Sequence, residues 1–390
     1  MEGQVGRDDP ALGEVDGPGR PDPLARVDPV LDDLRQPIEA AWGARSPVLM
    51  MSSNGFGMGH IMRLLAVALR LPHDAAVSLF SLSAAADVLD RTSMPWSHMT
   101  SYRPAFRSWQ WERQLGRRLG DLLDRTGAGT LLFDGVMPYQ GLLDALAHHP
   151  RVRSVWLRRG LWKEDIGSLS LSRGAHFDHV IEPGELHGEV TVAQGAVEPV
   201  GPITLVDRSQ MLDRATARRV LGIRPDERVL LLLWGASAMR EAGSITRQVL
   251  EWVATTDHSV MLPGNPIRDV VLPANVRTFR SLPMAHLLRA FDAAVSSNGY
   301  NSSYELLVGG VPTVFVPNLA TITDDQRARA ELFEAAGVAL HGGQTAASVI
   351  AQLEQVLDPA VQDRLRAAMD AAAWPNGAAR AAALLREWAP

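Results

Sequence analysis

At 390 residues the chain is longer than one hydrophobic core usually organises, so length alone predicts two domains plus an appendage. Hydrophobic residues at 46% and charged residues at 21% exclude wholesale disorder, and the absence of cysteine excludes disulfides, thiolate-held zinc, iron–sulfur clusters and thiol nucleophiles. A net charge of -6 argues against a general nucleic-acid binder, and no apolar run approaches the roughly 18–20 residues that span a bilayer. The N-terminus lacks a positive region followed by an apolar core, so no signal peptide is expected and the chain reads as soluble and cytoplasmic. Lys163 is the only lysine among 38 basic residues, a bias typical of GC-rich codon usage. Schiff-base chemistry is nearly excluded in consequence, and any phosphate must be held by arginine, backbone NH groups or hydroxyls.

Residues 1–30 hold ten glycines or prolines, ten charges and no aromatic, which predicts a disordered arm. From Asp28 to Trp42 the spacing of Val30, Leu31, Leu34, Ile38 and Ala41 predicts a helix packed on the first domain. Strands are then expected at Val48–Ser52, Val77–Leu82, Thr130–Asp134, Val152–Leu157 and His179–Glu182. Helices are expected at Ile61–Leu71, Ala84–Arg91, Trp109–Arg125 and Gln140–His148. Two prolines and a glycine in Glu198–Thr204 read as a hinge. The alternation restarts with strands at Val229–Trp234, Val260–Leu262, Val276–Phe279, Ala293–Ser297 and Thr313–Val316. It ends with helices at Asp324–Ala336, Ala346–Leu357, Ala360–Ala373 and Ala378–Trp388. The fold class is therefore α/β, with two doubly wound, Rossmann-like domains facing each other across a cleft. The expected division is an arm at 1–30, a first domain at 31–200, a second at 201–375, and a C-terminal helix at 376–390 that can return to the first domain.

Ligands in such sheets bind beyond the carboxyl ends of the strands, so the loops there carry the chemistry. The first, from Ser52 to His60, places Asn54, Gly55, Gly57 and Gly59 between a strand and a helix, where the backbone can approach a ligand closely. A nicotinamide fingerprint would need an acid closing the next strand, yet none occurs before Asp87. His60 stands at the helix start, where a side chain points into the cleft; capping or packing is its plainer use.

At the second, the strand ending at Ser297 runs into a small-polar turn and then a helix whose first turns hold hydroxyls and a single acid. The free NH groups of that helix, with Ser302 and Ser303, suit a pyrophosphate, and Glu305 can accept two hydrogen bonds from a ribose diol. After the next strand, Asp325 and Gln326 offer donors and acceptors fit for sugar hydroxyls. A simple helix N-cap explains Thr323–Gln326 equally well. The segment from Tyr102 to Arg125 has six arginines, three acids and two tryptophans. It suits an anionic or amphipathic acceptor or a membrane surface, or else forms a solvated helix with Trp109 and Leu115 packed inward.

These residues carry a resemblance. The sequence SSNGYNSSYELLVGGVPTVFVP followed by DDQ resembles the donor-binding half of GT-B glycosyltransferases. The likeness is strongest to the family 28 N-acetylglucosaminyltransferases of bacterial peptidoglycan synthesis and looser to the UDP-glycosyltransferases; NGFGMGHIMR is similar to their acceptor-side loop. The resemblance implies that Gly235 and Ser237 meet the diphosphate and that Arg280, with Phe279, presents backbone to the uracil edge. It further implies that Asn298, Gly299, Ser302 and Ser303 line the phosphate turn, that Glu305 binds ribose, and that Asp325 and Gln326 hold the donor sugar. His60 would be the general base and Asp134 the acid that orients it. Two positions depart from the family pattern: no arginine follows the hinge before Arg208, and Ser297-Asn298-Gly299 stands where other members have a histidine–glycine pair.

The implied activity is an inverting, metal-independent transfer of a hexose or N-acetylhexosamine from a nucleotide sugar, UDP-linked in expectation, to an acceptor hydroxyl. No metal or other cofactor is expected, there being no Asp-x-Asp triplet. The partners are then the donor and an unidentified small-molecule, lipid-linked or glycan acceptor, with no nucleic acid and at most peripheral membrane contact. A carboxylate beside His60 is expected to raise its pKa. A nucleotide-sugar hydrolase on the same fold stays open, since GMGHIMR also resembles the turn of the hydrolase of pseudaminic acid synthesis. So does a non-catalytic sugar-nucleotide binder.

Overall fold

The computed structural model describes residues 31–390 apart from 36–37, 39, 54–57, 103–106, 164–165, 187–196, 235–242, 265–274 and 373–374. Seven parallel strands build the first sheet: β1 (Val48–Ser52), β2 (Val77–Ser81), β3 (Trp96–His98), β4 (Thr130–Asp134), β5 (Arg153–Leu157), β6 (His179–Pro183) and β7 (Val197–Val200). Their order is β3-β2-β1-β4-β5-β6-β7. Six more form the second: β8 (Arg228–Leu233), β9 (His258–Pro263), β10 (Val276–Phe279), β11 (Ala293–Ser296), β12 (Thr313–Phe315) and β13 (Leu340–His341). They lie in the order β10-β9-β8-β11-β12-β13, again all parallel.

The central strands are apolar runs because helices cover both faces. Every residue of β1 and β4 is buried, as is nearly all of the helix Gly59–Ala68 that follows β1. In each sheet the strand order reverses once, between β1 and β4 and between β8 and β11. A crevice opens at such a switch point beyond the strand ends. Ser52 and Asp134 are register partners there, so the His60 turn and the Asp134 carboxylate emerge side by side.

Several expectations need correction. Only Leu31–Leu34 of the expected Asp28–Trp42 helix is helical among the described residues, as a single 3-10 turn whose Leu31 and Leu34 are buried. The stretch read as a hinge begins as a strand: Val197–Val200 pairs with β6 at the sheet edge, so the connection between domains starts at Gly201. Edge strands tolerate a proline, which hid this one. In the helix Ser108–Thr126, Trp111 and Leu115 pack inward, but Trp109 is 52% exposed with the Arg113 guanidinium over its ring.

The chain crosses between domains twice, and the crossings touch. Gly377 donates to the Pro202 carbonyl, and a Cβ at Gly377 would lie within 1.9 Å of the Gly201 oxygen, so only glycine fits. Asn376 caps the last helix and donates to the Thr204 carbonyl and to Asp207. That helix, Gly377–Trp388, packs on the helix Gly59–Ala68 and on β7, and Trp388 stacks on His179 at 3.9 Å.

Candidate active site

The cleft between the domains is a cavity of about 610 Å³ lined from both sides. From the first domain it receives His60, Arg63 and Arg159, and from the second Arg280, the turn Gly299–Ser302, Glu305 and Asp324. His60 and Arg63 are one helical turn apart on the helix Gly59–Ala68, so both reach the end of β4. The Asp134 carboxylate is wholly buried; one oxygen lies 2.7 Å from His60 Nδ1 and the other accepts from Arg63 Nε at 2.9 Å. With Asp134 ionised, Nδ1 carries the proton and donates, which leaves Nε2 as a free acceptor on an imidazole that is 18% exposed.

Burial alone would raise the Asp134 carboxyl, but the adjacent Arg63 and His60 hold it below its ordinary value. His60 runs against expectation. Burial lowers its pKa, Asp134 opposes this, and the positive charges of Arg63 and Arg159 add to the lowering, so the net direction is down. The imidazole therefore stays neutral and basic to a lower pH than a free histidine would.

Across the cleft, no side chain caps the helix Tyr300–Gly309. Its first NH groups and the hydroxyl of Ser302 open on the cavity, where partial positive charge favours an anion. Glu305 stands one turn in, and burial pushes its carboxyl up to about 7. Asp324 is held at about 2: burial would raise it, but Arg329 and then Arg159 more than offset that.

Four expected donor residues are placed otherwise. Asn298 and Ser303 are fully buried and bond to each other at 2.7 Å, and Asn298 also donates to the Gln326 carbonyl, so they brace the turn from behind. Asp325 caps the helix Gln326–Ala335 by accepting from Ala328 NH, the plainer of its two readings. Gln326 accepts from Asn318 NH and donates to Asp324. The acid that reaches the cavity is the preceding residue, Asp324. Gly299, Ser302, Glu305, Arg280 and Gly59 do line it. Asn54, Gly55, Gly57, Gly235 and Ser237 lie outside the described residues.

Sequence reasoning missed Arg63, Arg159, Tyr300 and Asp324. Only Arg63 left a signal, its helical spacing from His60. Tyr300 lies between two guanidiniums, Arg63 at 5.6 Å and Arg329 at 5.4 Å, and its hydroxyl donates to the Gly184 carbonyl across the interface. Arg329 joins Glu185 of the first domain to Asp324, at 2.9 and 2.8 Å. Lys163 donates to the Leu319 and Thr321 carbonyls, so the only lysine also bridges the domains. Among the described residues no group of histidines and acids could hold a metal, and no helix is long and apolar enough to cross a membrane.

Residues 266–385 match the glycosyltransferase family 28 C-terminal domain. The glycotransferase of kitacinnamycin superposes with a TM-score of 0.63 at 20% identity, covering 89% of this chain and all of that one. Acinetobacter baumannii MurG does so at 0.58 and 16%, covering 87% and 99%. The fold is GT-B. A curated relative from Trichormus variabilis is named UDP-N-acetylglucosamine–N-acetylmuramyl-(pentapeptide) pyrophosphoryl-undecaprenol N-acetylglucosamine transferase. It is 29% identical over 190 residues, which are 46% of this chain and 53% of that protein. The chain thus matches about half the length of its curated relatives. The GT-B fold also holds other chemistry: UDP-GlcNAc 2-epimerase from Neisseria meningitidis superposes at 0.63 with 14% identity, covering 87% and 98%. Reaction type must therefore be argued from the site.

Proposed function

We propose that the protein is an inverting, metal-independent glycosyltransferase that moves a sugar from a UDP-linked donor to an acceptor hydroxyl. One observation carries the reading. The His60–Asp134 pair and the uncapped start of the helix Tyr300–Gly309 line one cavity from opposite domains. A base on one wall and an anion site on the other are what such a transfer needs.

In this reading Glu305 accepts the ribose hydroxyls, while the helix NH groups and Ser302 hold the diphosphate. His60 Nε2 takes the acceptor proton as its oxygen bonds to the anomeric carbon from the face opposite the diphosphate. The anomeric carbon–oxygen bond breaks and the electron pair leaves on UDP, whose charge meets the helix terminus and Arg280. Asp134 stabilises the imidazolium. The name of the curated relative supports a UDP-linked donor and a lipid-linked acceptor.

The test is a thermal-shift panel of nucleotide sugars followed by turnover with and without a chelator. A ligand at a hundredfold its dissociation constant adds about 2.7 kcal/mol, a readily measured shift. UDP-sugars should stabilise the protein and chelation should leave turnover unchanged. If donor alone is consumed to stoichiometric UDP and free sugar, water is the acceptor and the enzyme is a hydrolase.

A further inference from the structure

A second pocket, of about 390 Å³, lies at the opposite edge of the second sheet from the cleft. Asp292 and Val311, one and two residues before β11 and β12, line it, whereas the cleft opens at the other end of those strands. Four arginines line it, Arg208, Arg214, Arg289 and Arg366, against two aspartates, Asp292 and Asp370.

The acids are already committed. Asp292 accepts from Arg214 at 2.6 Å and from the Val229 NH at 2.7 Å, with Arg218 at 3.6 Å. Asp370 pairs with Arg208. Arg289 donates to the Arg208 carbonyl and forms no ion pair among the described residues. The carboxylate nearest to Arg366 is that of Asp363, 3.7 Å away and 82% exposed. Among the described residues, neither guanidinium thus has an ion pair of its own with a buried carboxylate. Burial, and then the neighbouring cations Arg208 and Arg214 respectively, make the charged forms of Arg289 and Arg366 less favourable. A ligand that brings two negative charges would relieve this strain.

We infer that this pocket binds a phosphate-bearing anion of at least two charges, held by Arg289 and Arg366. Planar guanidinium forks match phosphate oxygens two at a time. None of the exposed large apolar side chains among the described residues lines the recess, which favours a soluble anion over a lipid headgroup. The walls also come from the chain beside both crossings between domains. Arg208 follows the linker that begins at Gly201, and Arg366 and Asp370 sit on the helix Pro359–Ala371, the last before the chain returns. The site is independent of what the cleft does.

The test is calorimetric titration of the full chain with pyrophosphate at constant ionic strength, with succinate as the dicarboxylate control. Wild type should show a saturable component that weakens tenfold or more in Arg289→Gln/Arg366→Gln and persists in Arg280→Gln, which alters only the cleft. A double variant that binds like wild type, or a preference for succinate, would overturn the proposal. Should the double variant fail to fold, arginine modification of the native chain by phenylglyoxal decides. Pyrophosphate should protect Arg289 and Arg366, and equal labelling with and without it rejects the site. Co-sedimentation with phosphatidylglycerol vesicles that depends on Arg289 would instead place the phosphate on a lipid.

Discussion

Arg63 and His60 share one carboxylate. The guanidinium donates from Nε at 2.9 Å to one Asp134 oxygen and from its terminal nitrogen to the other, the oxygen that the imidazole meets at 2.7 Å. Burial first, and then this sharing, sets the chemistry of the base. Asp134 alone would favour an imidazolium, as in a paired histidine, but part of its charge is spent on Arg63. With burial the balance tips, and the resting histidine is neutral.

His60→Ala should therefore lower kcat by roughly a hundredfold to ten-thousandfold and leave donor binding almost unchanged, because base and donor site belong to different domains. Asp134→Asn should cost less, since it removes only orientation and charge stabilisation. Steady-state rates with calorimetric titration of UDP-sugar check both. Near-normal turnover in His60→Ala would make His60 a structural cap.

The pH profile follows from the lowered His60 pKa. The base works unprotonated, so kcat should hold as pH falls past 6.5, the ordinary histidine value, and drop only below it. Arg63→Met should move that fall to higher pH by removing a positive neighbour and freeing Asp134 to favour the imidazolium. A profile with its midpoint above 6.5 in wild type would contradict the arrangement.

Glu305 should make donor affinity depend on pH near 7, where burial places its carboxyl. The ionised form accepts two hydroxyl hydrogen bonds, so affinity should rise as pH passes upward through 7. Glu305→Gln should flatten that dependence, and Glu305→Ala should raise the donor KM far more than it lowers kcat, because a ribose clamp binds ground and transition states nearly alike. Donor dissociation constants across pH 6–8 decide it.

Glu185→Leu should destabilise the fold. It leaves Arg329, 1% exposed, with Asp324 as its remaining carboxylate. Breaking a buried pair typically costs about 3–5 kcal/mol, and the retained partner puts the expected loss near the lower end. The urea midpoint should fall, and the cooperativity of domain unfolding should fall with it if this contact couples them.

The sequence by itself determined the architecture and part of the cavity's lining. Strand–helix alternation with short apolar strands leaves few alternatives to two parallel sheets, and the turns after β1 and β11 expose ligand-facing groups wherever such sheets occur. His60, Glu305 and Ser302 could be read from local order alone, and Gly299 from the family resemblance. Which of several polar neighbours turns toward the cavity could not. Asn298, Ser303, Asp325 and Gln326 share their short segments with residues that face the cleft, yet their hydrogen bonds go inward, because a buried turn must satisfy its own backbone and side chains first. Asp324 takes the cleft position because Arg159 and Arg329 reach it from two domains. The direction of the His60 shift likewise depends on burial and on Arg63 and Arg159, none of which is set before the chain has folded.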